Sequence, residues 1–219
     1  MDGSRTVVRD ALAVAVPVGL YGVAFGAAGV AAGFSVLQTC LLSLVAFTGA
    51  SQFAAVGVVA AGGPVASAVG AATLLGVRNA LYGIALSPVV EARGWRRLLA
   101  AQVTIDESTG VALGQQGRGR TAMRRAFWWT GGAVYVLWNV FTLAGATGAR
   151  ALGDPTAWGL DAAVPAAFLA LVWPRLGAAR SRAAAALAAL LTLGLTPLLP
   201  AGLPIVAAVL VAVGAGWRE

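Results

Sequence analysis

The sequence of 219 residues contains no histidine, no lysine and a single cysteine, Cys40. Without histidine there is no imidazole base, no imidazole metal ligand and no side chain that ordinarily titrates near neutral pH. Ser-His-Asp and Cys-His sites are excluded with it, and most hydrolase mechanisms go too. One cysteine makes no intramolecular disulfide and no thiolate metal site, so no metal or other cofactor is expected. Charge is also scarce: 11% of residues are charged, where a soluble domain carries about one quarter.

What remains is apolar. Hydrophobic residues make up 59% of the chain, glycine contributes 29 positions, and the mean hydropathy is +0.85. This composition predicts an all-α polytopic membrane bundle of about seven to eight hydrophobic segments, forming one domain over residues 1–219. All 15 basic residues are arginine and set the net charge of +7. Such a basic chain raises the question of nucleic acid, but the arginines sit in short breaks between apolar runs. That is the pattern of cytoplasmic membrane loops, so the expected environment is a lipid bilayer and no nucleic-acid partner is expected.

The first run, residues 11–32, follows Arg5 and Arg9. It exceeds the about 7–15 apolar residues of a signal peptide and reads as a retained helix. Gly19, Gly22, Gly26, Gly29 and Gly33 recur at alternating spacings of three and four, which lines them along one helical face. Such a face lets another backbone come close, in this chain or in a separate subunit. The second run, 37–61, carries FTGASQF (47–53) near its middle. Gly49, Ala50, Ser51 and Gln52 are placed to interrupt the helix, and a half-helix N-terminus would then offer N–H groups to a carboxylate. A continuous helix with Ser51 and Gln52 bonded to neighbours fits the same residues.

The stretch 74–109 differs from the rest, because charges fall inside its apolar runs. Arg78 and Asn79 lie deep in the third segment, and Asp106 and Glu107 lie within the fourth. A charge at the centre of a membrane helix costs about 2.5–3.5 kcal/mol and faces the bundle interior or a watery cavity. Arg78 is therefore read either as one half of a structural ion pair or as the partner of a substrate carboxylate. Neighbours on a helix point about 100° apart, so one acid can face Arg78 while the other faces a cavity. Desolvation disfavours the charged form of a carboxyl group. With no histidine in the chain, Asp106 or Glu107 is the candidate for proton coupling. The fourth run is broken by Gln102, Thr104 and Ser108. It would not insert alone and reads as sheltered or re-entrant.

Arg118, Arg120, Arg124 and Arg125 make the densest basic loop, expected on the cytoplasmic side. A run through Trp138 and Asn139 follows, then a polar link, a short run ending at Trp173 and Pro174, and a further basic loop. The last run, 183–217, would be about 52 Å long as one helix, too long for one crossing, and Pro197, Pro200 and Pro204 divide it into a hairpin. Counting eight segments from a cytoplasmic N-terminus places Arg93, Arg96 and Arg97 outside. Making one of the second, third or fourth segments re-entrant removes that conflict.

FTGASQFAAVG (47–57), LLGVRNALYGIALSP (74–88) and IDE (105–107), in that order, resemble the signatures of the AzlC-like branched-chain amino acid permeases, and GLDAAVPAAFLALVWP (159–174) is similar to a later family segment. The resemblance covers nearly the whole chain. It implies export of small neutral amino acids such as valine across a bacterial cytoplasmic membrane, with a small AzlD-like membrane subunit as partner. The chain departs from the family pattern at Gly76, where asparagine is expected, at Asn79, where histidine is expected, and at Ile105, where threonine is common. Asn79 does not titrate. Two other classes stay open on the residues alone: an intramembrane enzyme using Asp106 or Glu107, and a structural subunit assembling through the glycine face.

Overall fold

The computed structural model describes residues 2–151 and 176–199, with isolated positions among the remainder. The segment 159–174 lies outside the described residues, as does most of the second half of the C-terminal hairpin. Among the described residues every regular element is helical: α1 (Asp2–Ala31), α2 (Val36–Val45), α3 (Ala50–Ala60), α4 (Val65–Val90), α5 (Arg96–Gln102), α6 (Asp106–Gly114), α7 (Arg120–Ala151) and α8 (Ala179–Leu195). Among the described residues, three helices are long and apolar enough to cross a membrane, over Arg5–Ala31, Val65–Val90 and Arg120–Ala151. The fold is a helical membrane bundle.

The glycines of α1 decide how it meets α7. A Cβ at Gly19 would collide with Leu137, one at Gly22 with the Trp138 carbonyl, and one at Gly26 with Thr142 and Ala146. Numbers rise together along both helices, so α1 and α7 are parallel. Their basic N-terminal ends lie side by side, with Asp10 3.8 Å from Arg118 and within 3.4 Å of the Gln115 amide. Gly29 turns instead to α2, where a Cβ would strike Thr39. Gly33 has open space around it and a φ of +90°, so its part is to end α1 in a backbone shape that glycine tolerates.

The second apolar run is not one helix. Ser35 caps α2 with a reciprocal pair: its Oγ accepts from Gln38 N, and Gln38 Oε1 accepts from Ser35 N. α2 stops at Val45, residues 46–49 turn, and α3 begins at Ala50. The break thus falls on 46–49, upstream of the expected 49–52. Gly49 supplies the turn, with φ of 65°, and Ser51 and Gln52 belong to the first turn of α3. Gln52 bridges the halves: its Oε1 accepts from Gly49 N at 3.1 Å and its Nε2 donates to the Leu42 carbonyl at 3.3 Å. Small residues then seat α3 antiparallel on α4 through Ala54, Val58, Ala68 and Ala71.

The fourth run repeats this plan. α5 ends at Gln102, residues 103–105 turn, and α6 begins at Asp106. Ser108 Oγ accepts from Ile105 N at 3.0 Å and donates to the Val103 carbonyl at 2.7 Å. Both half-helices are therefore capped from their third residue, by Gln52 and by Ser108.

Partners fix the direction of each hairpin. Glu91, just past α4, pairs with Arg124 near the start of α7 at 2.8 Å, so α4 ends at the basic face where α1 and α7 begin. The turn 61–64 then lies at the opposite face. α2 and α3 enter from that opposite face and return to it. α5 and α6 enter from the basic face and return there, since Gln115 reaches Asp10. The two tips meet midway, where Gln102 Nε2 donates to the Leu44 carbonyl at 2.7 Å. Two segments are re-entrant, where the sequence required one, and together they bring Arg93, Arg96 and Arg97 to the same face as Arg118, Arg120, Arg124 and Arg125.

Aromatic rings fill the space between the first hairpin and its supports. Phe25 of α1 meets Phe53 edge-on at 5.4 Å and stacks on Trp138 of α7 at 6.1 Å, while Phe47 meets Tyr135 edge-on at 5.0 Å. Each such pair adds about 0.5–1.5 kcal/mol beyond its area burial. The hairpin tip is held by this cluster as well as by its own hydrogen bonds.

Candidate functional site

Where the two tips meet α4, a chamber of about 180 Å³ opens. Arg78 enters it from α4, thirteen residues from Val65 and twelve from Val90, about 20 Å and 18 Å along the axis. Asp106 and Glu107 enter it from the first turn of α6, and Gly49 and Ala50 from the start of α3. Arg78 Nη1 lies 2.8 Å from Asp106 Oδ2, and both side chains are about three-quarters buried (26% and 25% exposed). Glu107, the next residue round the helix, lines the chamber beside them. The remaining wall is apolar and aromatic, with Val18, Phe53, Leu75, Val134 and Trp138 among its residues.

Two half-helix N-termini converge on this one space. The start of α3 brings the positive end of its dipole with no acid in its first turn. The start of α6 carries both acids, and its dipole end and the Arg78 guanidinium both attract the Asp106 carboxylate. The chamber therefore holds a cationic corner, an anionic corner and an apolar wall. A cavity of about 150 Å³ accommodates a benzene-sized guest, so this one suits a small solute.

Not every expected site residue reaches it. Gly49, Ala50, Arg78, Asp106 and Glu107 line the chamber. Ser51 packs under Gly76 of α4, and Gln52 is used up in capping. Asn79 faces away, into a groove on the other side of α4 with Gly83, Ser87 and Thr104. Of the glycine stripe, Gly19, Gly22 and Gly26 meet α7 and Gly29 meets α2, whereas a Cβ at Gly33 would meet no atom of the described residues within 4 Å. Tyr21, Leu75 and Val134 were not singled out by sequence; apolar residues in apolar helices carry no mark of facing a cavity. Gln102 joins the tips, and only its polarity within the fourth run pointed to it.

The family model described as AzlC protein matches residues 13–152, a stretch holding α1 after its first turns, both hairpins, α4 and α7. The chain belongs to the AzlC family. No curated protein and no solved structure matches it. The AzlC match ends just past α7, so it contains every residue that lines the chamber. AzlC is a transporter-type family of membrane proteins.

Proposed function

We propose that this protein carries small branched-chain-type amino acids, such as valine, across the bacterial cytoplasmic membrane, with the chamber as the binding site. The observation that carries the reading is the convergence of Arg78, two acids and a bare half-helix N-terminus on an otherwise apolar space midway across the bundle. A zwitterionic amino acid asks for those three features together. Its carboxylate would take the N-terminus of α3 around Gly49 and Ala50 and share Arg78. Its ammonium would take Glu107 and Asp106, and a short branched side chain would lie against Val18, Leu75 and Val134. The volume argues against a large aromatic side chain.

Proton coupling falls to Asp106 or Glu107, because the chain has no histidine and Asn79 stands where the family carries one. The arginine-rich face is cytoplasmic by the positive-inside rule, and export is the direction that family membership favours. Family membership also supports a small AzlD-like subunit.

The experiment is amino-acid flux in liposomes containing the purified protein, with and without the AzlD-like subunit, driven by a proton gradient. Arg78→Ala and Glu107→Gln each reduce valine flux by at least about tenfold, the loss expected when one charged partner of a bound ion is removed. Asp106→Asn or Glu107→Gln, whichever marks the coupling acid, also abolishes the pH dependence. Unchanged flux and pH dependence in Arg78→Ala, Asp106→Asn and Glu107→Gln would sink both the binding and the coupling roles.

A further inference from the structure

Three cavities of this bundle follow one another along α4. The chamber takes Leu75 and Arg78 from it. A groove takes Asn79, Ala80, Gly83, Ile84 and Ser87, and a pocket of about 180 Å³ takes Gly83, Leu86, Ser87 and Val90 and reaches Arg97 at the basic face. Groove and pocket share Gly83, Ser87, Ala101 and Thr104, so they form one seam between α4 and α5. No residue lines both the seam and the chamber. Between them stand α4, with the Arg78–Asp106 pair on its chamber side, and the hairpin tip, where Thr104 lines the groove and Ile105 the chamber.

The seam carries polar groups within a mainly apolar lining. Asn79 Oδ1 is buried there with no hydrogen-bond partner among the described residues, which for an amide oxygen in an apolar bundle costs about 1–3 kcal/mol unless another group, water or a solute supplies one. Ser87 and Thr104 add hydroxyls, and Arg97 stands at the outer end. Gly83, common to both parts, has no atom of the described residues within 4 Å of where a Cβ would be, so a side chain placed there would project into open space.

We propose that the α4–α5 seam is the passage between the chamber and the basic face, with the Arg78–Asp106 pair as its barrier and Asn79 as the first polar group beyond it. This rests on the transport reading above. A solute carboxylate that draws Arg78 away from Asp106 opens the barrier by the same contact that binds it. The apolar tip of α5 and α6 needs only to shift with Asp106, which is its first helical residue.

The chain's one cysteine makes the test direct. In a Cys40→Ala background, Gly83→Cys, Leu75→Cys and Leu81→Cys are each exposed to a membrane-impermeant thiosulfonate from the basic face of oriented vesicles. Leu81 is 60% exposed at nearly the depth of Gly83 but off the seam. Gly83→Cys reacts about tenfold or more faster than Leu81→Cys, because a thiol in water ionises and one in lipid does not. Leu75→Cys, in the chamber, reacts from this face only when Asp106→Asn or Arg78→Ala is added. Equal rates for Gly83→Cys and Leu81→Cys overturn the passage, and a Leu75→Cys already reactive with the pair intact overturns the barrier. Labelling needs no transport, so a labelled seam in a protein without amino-acid flux would refute the function and leave the passage standing.

Discussion

At the scale of single residues, the Arg78–Asp106 pair is the one place among the described residues where opposite charges lie 2.8 Å apart in the middle of the bundle. Arginine keeps its proton in any protein environment, so its charge must be met by a partner. Removing one member of a buried pair leaves an uncompensated charge and costs about 3–5 kcal/mol, whereas removing both costs much less. Since each side chain is about one-quarter exposed, the lower end of that range applies. Asp106→Ala and Arg78→Ala therefore each lower the melting temperature in detergent, and the double variant recovers most of the loss. A double variant as unstable as the sum of the singles would mean that the two residues stabilise the fold independently. The surface pair Glu91–Arg124 has the same length but both side chains are 41% exposed or more. It contributes about 0–1 kcal/mol and matters here as a marker of depth.

At the scale of elements, α1 and α7 form the frame because three glycines of α1 let the backbones touch. Gly145 returns the favour from α7, where a Cβ would strike the Val23 carbonyl. Gly26→Leu puts a branched side chain into the backbone of Thr142 and Ala146 and separates the two helices. The expected result is loss of folded protein on size-exclusion chromatography in detergent. Gly132→Ala, on α7 with nothing within 4 Å of its Cβ, elutes as the wild type does. A monodisperse Gly26→Leu protein of wild-type thermal stability would show that the close approach is dispensable. The two hairpins are elements of a different kind. Each is too short to cross and depends on its tip bonds and on the frame behind it: Gly131 of α7 touches the second tip at Val103, and Tyr135 donates to the Leu44 carbonyl at the first.

At the scale of the whole molecule, the pairing of two opposed hairpins sets the topology. α1, α4 and α7 cross, and the hairpins do not, so the N-terminal end, the 91–97 loop and the 115–119 turn share one face. In a Cys40→Ala background, Arg93→Cys and Gly117→Cys are labelled from the same side by an impermeant thiol reagent, and Gly63→Cys from the other. Labelling of Arg93→Cys and Gly117→Cys from opposite sides would make the fourth segment a full crossing and undo the arrangement.

The sequence by itself determined the class of the fold and marked the charged residues of the candidate site. Hydropathy fixed α1, α4 and α7, the glycine spacing marked the face on which α1 would be approached, and charge inside apolar runs marked Arg78, Asp106 and Glu107. These features are local costs and propensities, legible wherever the chain is read. The tertiary structure alone decided which breaks turn back and which residues share a cavity. A run of 25 apolar residues satisfies the bilayer as one helix or as two half-helices, and the choice rests on long-range bonds such as Gln102 to Leu44. The placement of Asn79 in the seam while its neighbour Arg78 enters the chamber has the same origin. Successive residues on a helix point about 100° apart, and only the packing of α3, α5 and α6 around α4 settles what each of them meets.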